Sequence, residues 1–509
     1  MQTEAARDHQ SGRNSLWGAI LTGGFATALV LWTAWFVTHL PWTGLAESTS
    51  VPILLAMWAL ALTATGWSIG GPAGTPRDGW KVGGGAGLLS AVIGLLVLGT
   101  KISESSAASH VTQSASRLVP GAPIIVGGFL VTGAVLGAVF GFLGARFRVC
   151  RCSPSPDWLA RFAVVCVVTT APLLFIGGLV TSTNSGMAVP DWPGTYGSNM
   201  FLYPLGPRID APGGNEVQPE AWQKFLTKSQ IADAEKLPAD ERDAFVARVA
   251  TQKIFLEHSH RLFGALLGLS MIVLTAWVFV EKRPRGLSVL ASCALLLVVA
   301  QGVLGGMRVT LGSVDSASDN RLLSMAHGVL AQLTMGLLVV LAMKLSPAYQ
   351  QCTPAPRSAM STRARIFATA AFHATIVQLI FGAIFRHFRT SSHSLWSHAG
   401  FSIVVVVTAA LGAMFVMRLV QSRRDEGHDQ PFLTTTSRLA GLLLAVVSLQ
   451  FVLGWVALMG GNIREANPAT VTQALIRTIH QANGAATLAL VVAVWCAARR
   501  TAPKLTITV

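Results

Sequence analysis

Four of the twelve histidines stand out by position. His260, His327, His398 and His480 each fall within about a turn of the start of a long apolar run. A histidine at one such place is commonly an interfacial or hydrogen-bonded core residue. Here the placement repeats: EHSHRLFG and LWSHAGF open one matching pair of runs, and SMAHGVL and RTIHQANG open another. Ionisable residues inside membrane bundles face the interior, because lipid exposure is costly. Bundle interiors are where ligands for cofactors project from facing helices. Two neutral imidazoles on opposing helices can ligate a haem iron from both faces. Zinc fits less well, since no cluster supplies three or four ligands at metal spacing.

Glu257 lies three residues before His260, on the same helical face and one turn away. A carboxylate there can act in proton transfer, or simply cap the helix and favour its dipole. The matching residue of the other half is Leu395. That asymmetry points to chemistry in the first half and a held cofactor in the second. His258 falls on another face and reads as interfacial. Arg261, Arg308, Arg386 and Arg389 sit near the same depth. They are candidate partners for haem propionates, because the guanidinium fork binds both carboxylate oxygens.

The elements that must carry these residues are helices in lipid. The chain has 509 residues, of which 12% are charged, and a mean hydropathy of +0.54. Twelve runs reach the roughly 20 apolar residues that a spanning helix needs, near 17–39, 51–70, 82–100, 121–144, 162–182, 261–280, 287–307, 322–343, 366–385, 398–418, 438–459 and 478–497. The first run is too long for a cleavable signal peptide and has no clear cleavage site. A net charge of +15 would raise nucleic acid as a partner in a soluble protein. Here the basic residues cluster in alternate short loops, as the positive-inside rule expects. The charge therefore reports topology, with both termini cytoplasmic and no nucleic-acid partner. Cys150 and Cys152 fall in a cytoplasmic loop and read as unpaired thiols.

An internal repeat organises the later spans. LLLVVAQGVLGGM (295–307) matches LLAVVSLQFVLGWV (443–456), aligning Gln301 with Gln450 and Gly305 with Gly454. Each unit has four spans, so the repeats are parallel, unlike the inverted repeats common in secondary transporters. The fold expected is all-α: a polytopic membrane protein of about twelve transmembrane helices, with two parallel four-helix-bundle repeats forming an eight-helix core. Residues 1–155 form an additional four-span module of unassigned role. Residues 156–345 are the first repeat, with a long outer loop at 183–257, and 346–509 are the second. The later part of that loop carries charges at helical spacing, which predicts one or two surface helices.

The ordered phrases GGLVTSTNSGMAVPDWPG, EHSHRLFG, QGVLGGMRV and AHGVLAQ, with WSHAG, QFVLGW and IHQANG, resemble the haem A synthase family over about residues 160–500. The resemblance implies an oxidoreductase of the bacterial cell (inner) membrane. It would turn a porphyrin methyl group of haem O into a formyl group, giving haem A for terminal oxidases, by two hydroxylations and a dehydration. It implies haem b as cofactor on His398 and His480, substrate haem O at His260 and His327, and Glu257 as the catalytic carboxylate. It also implies the lipid bilayer as setting, and haem O synthase or oxidase-assembly proteins as partners. This chain departs from the family in two ways. The first outer loop lacks the cysteine pair of some members, and four spans precede the core. Two other readings stay open. A di-haem electron carrier has no evident need for Glu257, and a haem transporter is disfavoured by the parallel repeat.

Overall fold

A computed structural model describes residues 2–69, 76–105, 116–147, 157–189, 191–195, 198–203, 226, 228–311, 317–388, 392–428, 430–461 and 470–502. The protein is all-α, and among the described residues twelve helices are long and apolar enough to cross a membrane. In lipid, every backbone polar group must be satisfied within its own segment, and helices achieve this. The one strand pair among the described residues is a short antiparallel ribbon, β1 (Ser103–Ser105) and β2 (Ser116–Leu118), with Ser103 opposite Leu118. The chain divides into two compact units, one of residues 1–165 and 188–266, the other of 166–187 and 267–509.

The first unit opens with α1 (Gln2–Thr38), α2 (Glu47–Ile69), α3 (Pro76–Leu98) and α4 (Ala122–Arg146). Apolar side chains gain little from meeting one another in lipid, so close helix contact there depends on small residues. Helices α3 and α4 meet in this way. A Cβ added at Gly83 would stand 2.1 Å from the carbonyl oxygen of Gly137, and one at Gly87 would stand 2.0 Å from that of Gly133. The outward face of α4 carries exposed Ile124, Val131, Val135 and Val139, which suits contact with lipid.

Helix α5 (Trp158–Ser182) begins the region that holds the histidines. A seven-residue helix, α6 (Lys228–Ala234), precedes α7 (Ala239–Val280). Among the described residues the outer loop thus holds one separate short helix, and its second helical stretch runs unbroken into the sixth span. At 42 residues and 1.5 Å per residue, α7 is about 60 Å long. That is about twice the hydrocarbon thickness, so its charged first half projects beyond the apolar layer. Within the first unit α1 lies against α7. Trp32 meets Phe263 edge-on at 5.8 Å, and Phe36 stacks on Phe255 at 5.7 Å.

The second unit contains α8 (Arg285–Thr310), α9 (Ala317–Leu345), α10 (Pro347–Gln351), α11 (Ala359–His387), α12 (Ser392–Asp425), α13 (Pro431–Gly460) and α14 (Val471–Thr501). Ala364, Ala368, Ala371, Ala409, Ala413, Ala440 and Ala498 form much of its buried core. Alanine lets α11 to α14 approach closely at no rotamer cost. A stacked pair, Phe372 on Trp495 at 4.7 Å, fills the space between α11 and α14. The helices begin earlier than the apolar runs. Thus α9 starts at Ala317 and α14 at Val471, about three turns before their histidines. Polar first turns extend each helix outward without adding to its hydrophobic signal.

Candidate functional site

His398 on α12 and His480 on α14 face each other in the second unit. Their ring centroids are 6.3 Å apart and the rings are nearly perpendicular, at 89°. That separation accommodates two metal–imidazole bonds of about 2 Å each, with half a ring on either side. Nδ1 of His398 is buried without a hydrogen-bond partner among the described residues. A bare ring nitrogen in a dry bundle is costly unless something takes its lone pair, and a metal ion can. These donors therefore fit a bis-imidazole haem.

Each ring is cradled by a neighbouring helix. On α13, Gln450 Nε2 lies 3.3 Å from His480 Nδ1. One turn on, a Cβ at Gly454 would stand 3.5 Å from His480 Cε1. Asn483 donates to the far oxygen of Gln450 at 2.9 Å and to Val446 O at 3.1 Å. On α11, Gln378 Nε2 donates to the His398 carbonyl at 2.8 Å. A Cβ at Gly382 would collide with His398 Cε1 at 2.8 Å, so that ring needs glycine at this position.

The third histidine, His327 on α9, repeats the pattern. With its amide turned so that both ends are satisfied, Gln301 on α8 donates to His327 Nδ1 at 2.8 Å and to His327 O at 3.2 Å, and accepts from Ala331 N at 3.1 Å. A Cβ at Gly305 would stand 3.5 Å from His327 Cε1, as at Gly454. A glutamine and a glycine four residues apart thus face a histidine on α8, α11 and α13.

In the first unit, α7 presents Glu257, His258 and His260. Glu257 is 4% exposed. Its carboxylate accepts from Arg261 Nη2 at 2.8 Å and from Val189 N at 2.8 Å. Arg261 also donates to the carbonyls of Asp191 (2.6 Å), Gly194 (2.8 Å) and Val189 (3.1 Å). The pair therefore fastens the start of the outer loop onto α7. His258 is fully buried beneath that loop, with Nδ1 3.3 Å from Thr195 Oγ1 and its ring 5.6 Å from Tyr203. The interfacial position expected for His258 is thus replaced by a buried one. The loop folds back over the helix face that the sequence leaves open. His260 is partly buried on α7.

Two of the four expected arginines have other partners here. Arg261 is engaged as above. Arg386 donates to Gln481 Oε1, to Gly178 O at 3.2 Å and to Ser182 Oγ at 3.0 Å, tying α11 to α14 and to the end of α5. To hold a propionate, either residue would have to give up carbonyl or amide contacts. Arg308 lies near Gly186, where an added Cβ would be 3.0 Å from its Nη2. Arg389, Cys150 and Cys152 lie outside the described residues. Cys166, Cys293, Cys352 and Cys496 are free thiols. Sequence reading missed Gln378, Gly382 and Asn483. The Gln–Gly spacing already seen at Gln301 and Gln450 was the signal that could have found the first two.

Comparison with known proteins gives a consistent result. Residues 218–403 match the model of the COX15-CtaA family, described as "Cytochrome oxidase assembly protein". The chain is similar to a "Heme A synthase" of Anaplasma marginale (strain Florida), 26% identical over 362 residues, covering 66% of this chain and 93% of that protein. It is similar to one of Novosphingobium aromaticivorans, 26% identical over 48% of this chain and 66% of that protein. A third, from Neorickettsia sennetsu, is 30% identical over 31% of this chain and 42% of that protein. No solved structure matches the chain.

Proposed function

We propose that the chain is a member of the COX15-CtaA family of cytochrome oxidase assembly proteins and a haem A synthase, an integral membrane oxidoreductase that converts a porphyrin methyl group of haem O to the formyl group of haem A. The observation that carries the reading is the facing pair His398 and His480, set at a separation suited to one metal ion. These two histidines would hold haem b, and that group when bound supplies the electron-transfer chemistry. His260 and His327 would take the iron of substrate haem O. Glu257, the carboxylate that the second half replaces with Leu395, would move a proton at the reacting substituent. Arg308, together with Arg261, Arg386 and Arg389, would meet the propionates. Both termini would lie in the cytoplasm, with residues 1–155, 156–345 and 346–509 as the functional divisions.

The test is to extract and separate the haems from purified protein and record its reduced-minus-oxidised spectrum. Haem b accompanied by haem O, haem A or a hydroxylated form is the expected result. His398→Ala and His480→Ala should each lose haem b. If both variants keep full haem b, the cofactor assignment fails. If wild-type protein carries haem b alone and makes no haem A from haem O, the protein is an electron carrier.

A further inference from the structure

An imidazole that binds a metal through one ring nitrogen keeps its proton on the other, and that proton needs an acceptor. On α8 and on α13 a glutamine amide already stands at Nδ1 of the histidine on the following helix, at 2.8 Å for Gln301 and His327 and 3.3 Å for Gln450 and His480. The glycine one turn later borders Cε1 of the same ring at the same 3.5 Å clearance in both places. One helix face therefore grips the Nδ1–Cε1 edge of each ring and leaves Nε2 as the remaining ring nitrogen. The arrangement occurs twice, on helices far apart in the chain, with the same residue types in the same order. A single glutamine–histidine contact could be ordinary packing; the paired contacts at matched positions are not explained that way.

We propose that Gln450 and Gln301 are positioning residues that hold Nδ1 of His480 and His327, reserving Nε2 for haem iron and setting how strongly each imidazole donates to it. This rests on the reading that these histidines ligate haem. A primary amide suits the task better than a carboxylate or an apolar group. Its N–H donates to a bare Nδ1, and its oxygen accepts from a protonated one, so a turn of the amide serves the ring before and after the metal binds. In the second half the amide is braced by Asn483. The residue at the matching place in the first half is Leu330, three after His327 as Asn483 is three after His480. Gln301 is held instead by the backbone of α9, through His327 O and Ala331 N.

The experiment is a redox titration of the haem resident in full-length purified protein. Q450E places a carboxylate on the Nδ1 proton, strengthens the imidazole as a donor, favours ferric iron and should lower the midpoint potential. Q450L removes the acceptor and should raise it. Q450N keeps an amide that falls short by one methylene and should move the midpoint as Q450L does, which guards against a Q450L that fails to fold. Q301L should leave this midpoint where it is. Unshifted midpoints in Q450E and Q450N with haem bound, or an equal shift in Q301L, would overturn the proposal. His480→Ala separates the two levels. If that variant keeps haem with an unchanged spectrum, the ligation reading fails and takes the proposal with it. If it loses haem while the Gln450 variants are unshifted, only the proposal fails.

Discussion

Glu257 and Arg261 form an ion pair whose side chains are almost wholly buried, at 6% and 9% exposure. A buried pair is a poor source of net stability, because desolvation offsets most of the attraction, yet removing one partner strands the other. Its value here lies in what it fixes: the guanidinium gathers three carbonyls of the 189–194 segment, and the carboxylate takes the Val189 amide. Glu257 is therefore both a fastener of the loop and the proposed proton carrier, and the two roles separate by mutation. Glu257→Gln keeps the shape and an acceptor for Val189 N, at a cost of about 2 kcal/mol for the weakened charged contacts. Loss of a general acid or base costs roughly 10²- to 10⁴-fold in rate. Haem A production in cells should fall by that order in E257Q while haem b is retained. Arg261→Ala releases the same loop and leaves the carboxylate in place, though without its guanidinium partner, and should reduce production less. Equal losses in the two variants would leave Glu257 with a fastening role alone.

Helices in this protein are fitted by subtraction of side chains. The contact of α3 and α4 runs along Gly79, Gly83 and Gly87 on one side and Gly133, Gly137 and Gly141 on the other, so close that a Cβ at Gly137 would lie 2.1 Å from Gly83 O. Backbone meets backbone, and no rotamer change can make room. Gly137→Leu should force the two helices apart, at the roughly 1–3 kcal/mol typical of overpacking or more, and lower the thermal midpoint of the detergent-solubilised protein. Gly127, on the same helix, has nothing within 4 Å of an added Cβ, so Gly127→Leu is the control and should leave the midpoint in place. The same subtraction operates at the site, where Gly382, Gly305 and Gly454 make room for imidazoles. A pair of variants with equal midpoints would mean that the α3–α4 contact contributes little.

For the whole molecule, the four N-terminal helices have a structural connection that composition does not reveal. Within the first unit α1 lays Trp32, Trp35 and Phe36 against Phe255 and Phe263 of α7, on either side of Glu257 and His260. Trp32 is 1% exposed. Trp32→Ala should cost about 3–5 kcal/mol as a large-to-small core change and loosen the support of α7. The expected outcome is reduced haem A production with unchanged haem b, since His398 and His480, the proposed haem b ligands, belong to the other unit. A variant with wild-type output would show that α1 is not needed to hold the Glu257 helix.

The sequence by itself determined the class of the protein. Spanning helices are announced by the length of apolar runs, a local property, and all twelve are found. The matched phrases around Gln301 and Gln450, and around the four histidines, were legible because repetition is visible without coordinates. What the tertiary structure decided is which side chains meet. That depends on how helices distant in sequence are rotated and how closely they approach. Gln378 and Gly382 share the Gln–Gly spacing of the other two helices, but that they serve His398 is decided by α11 turning that face to it. Asn483 matters because its amide meets Gln450. His258 is buried because a loop with no strong periodicity folds over it, and Arg261 is committed to carbonyls that no spacing rule connects to it. Backbone carbonyls carry no side-chain signature, so the contacts that fasten the outer loop to α7 could be found only in three dimensions.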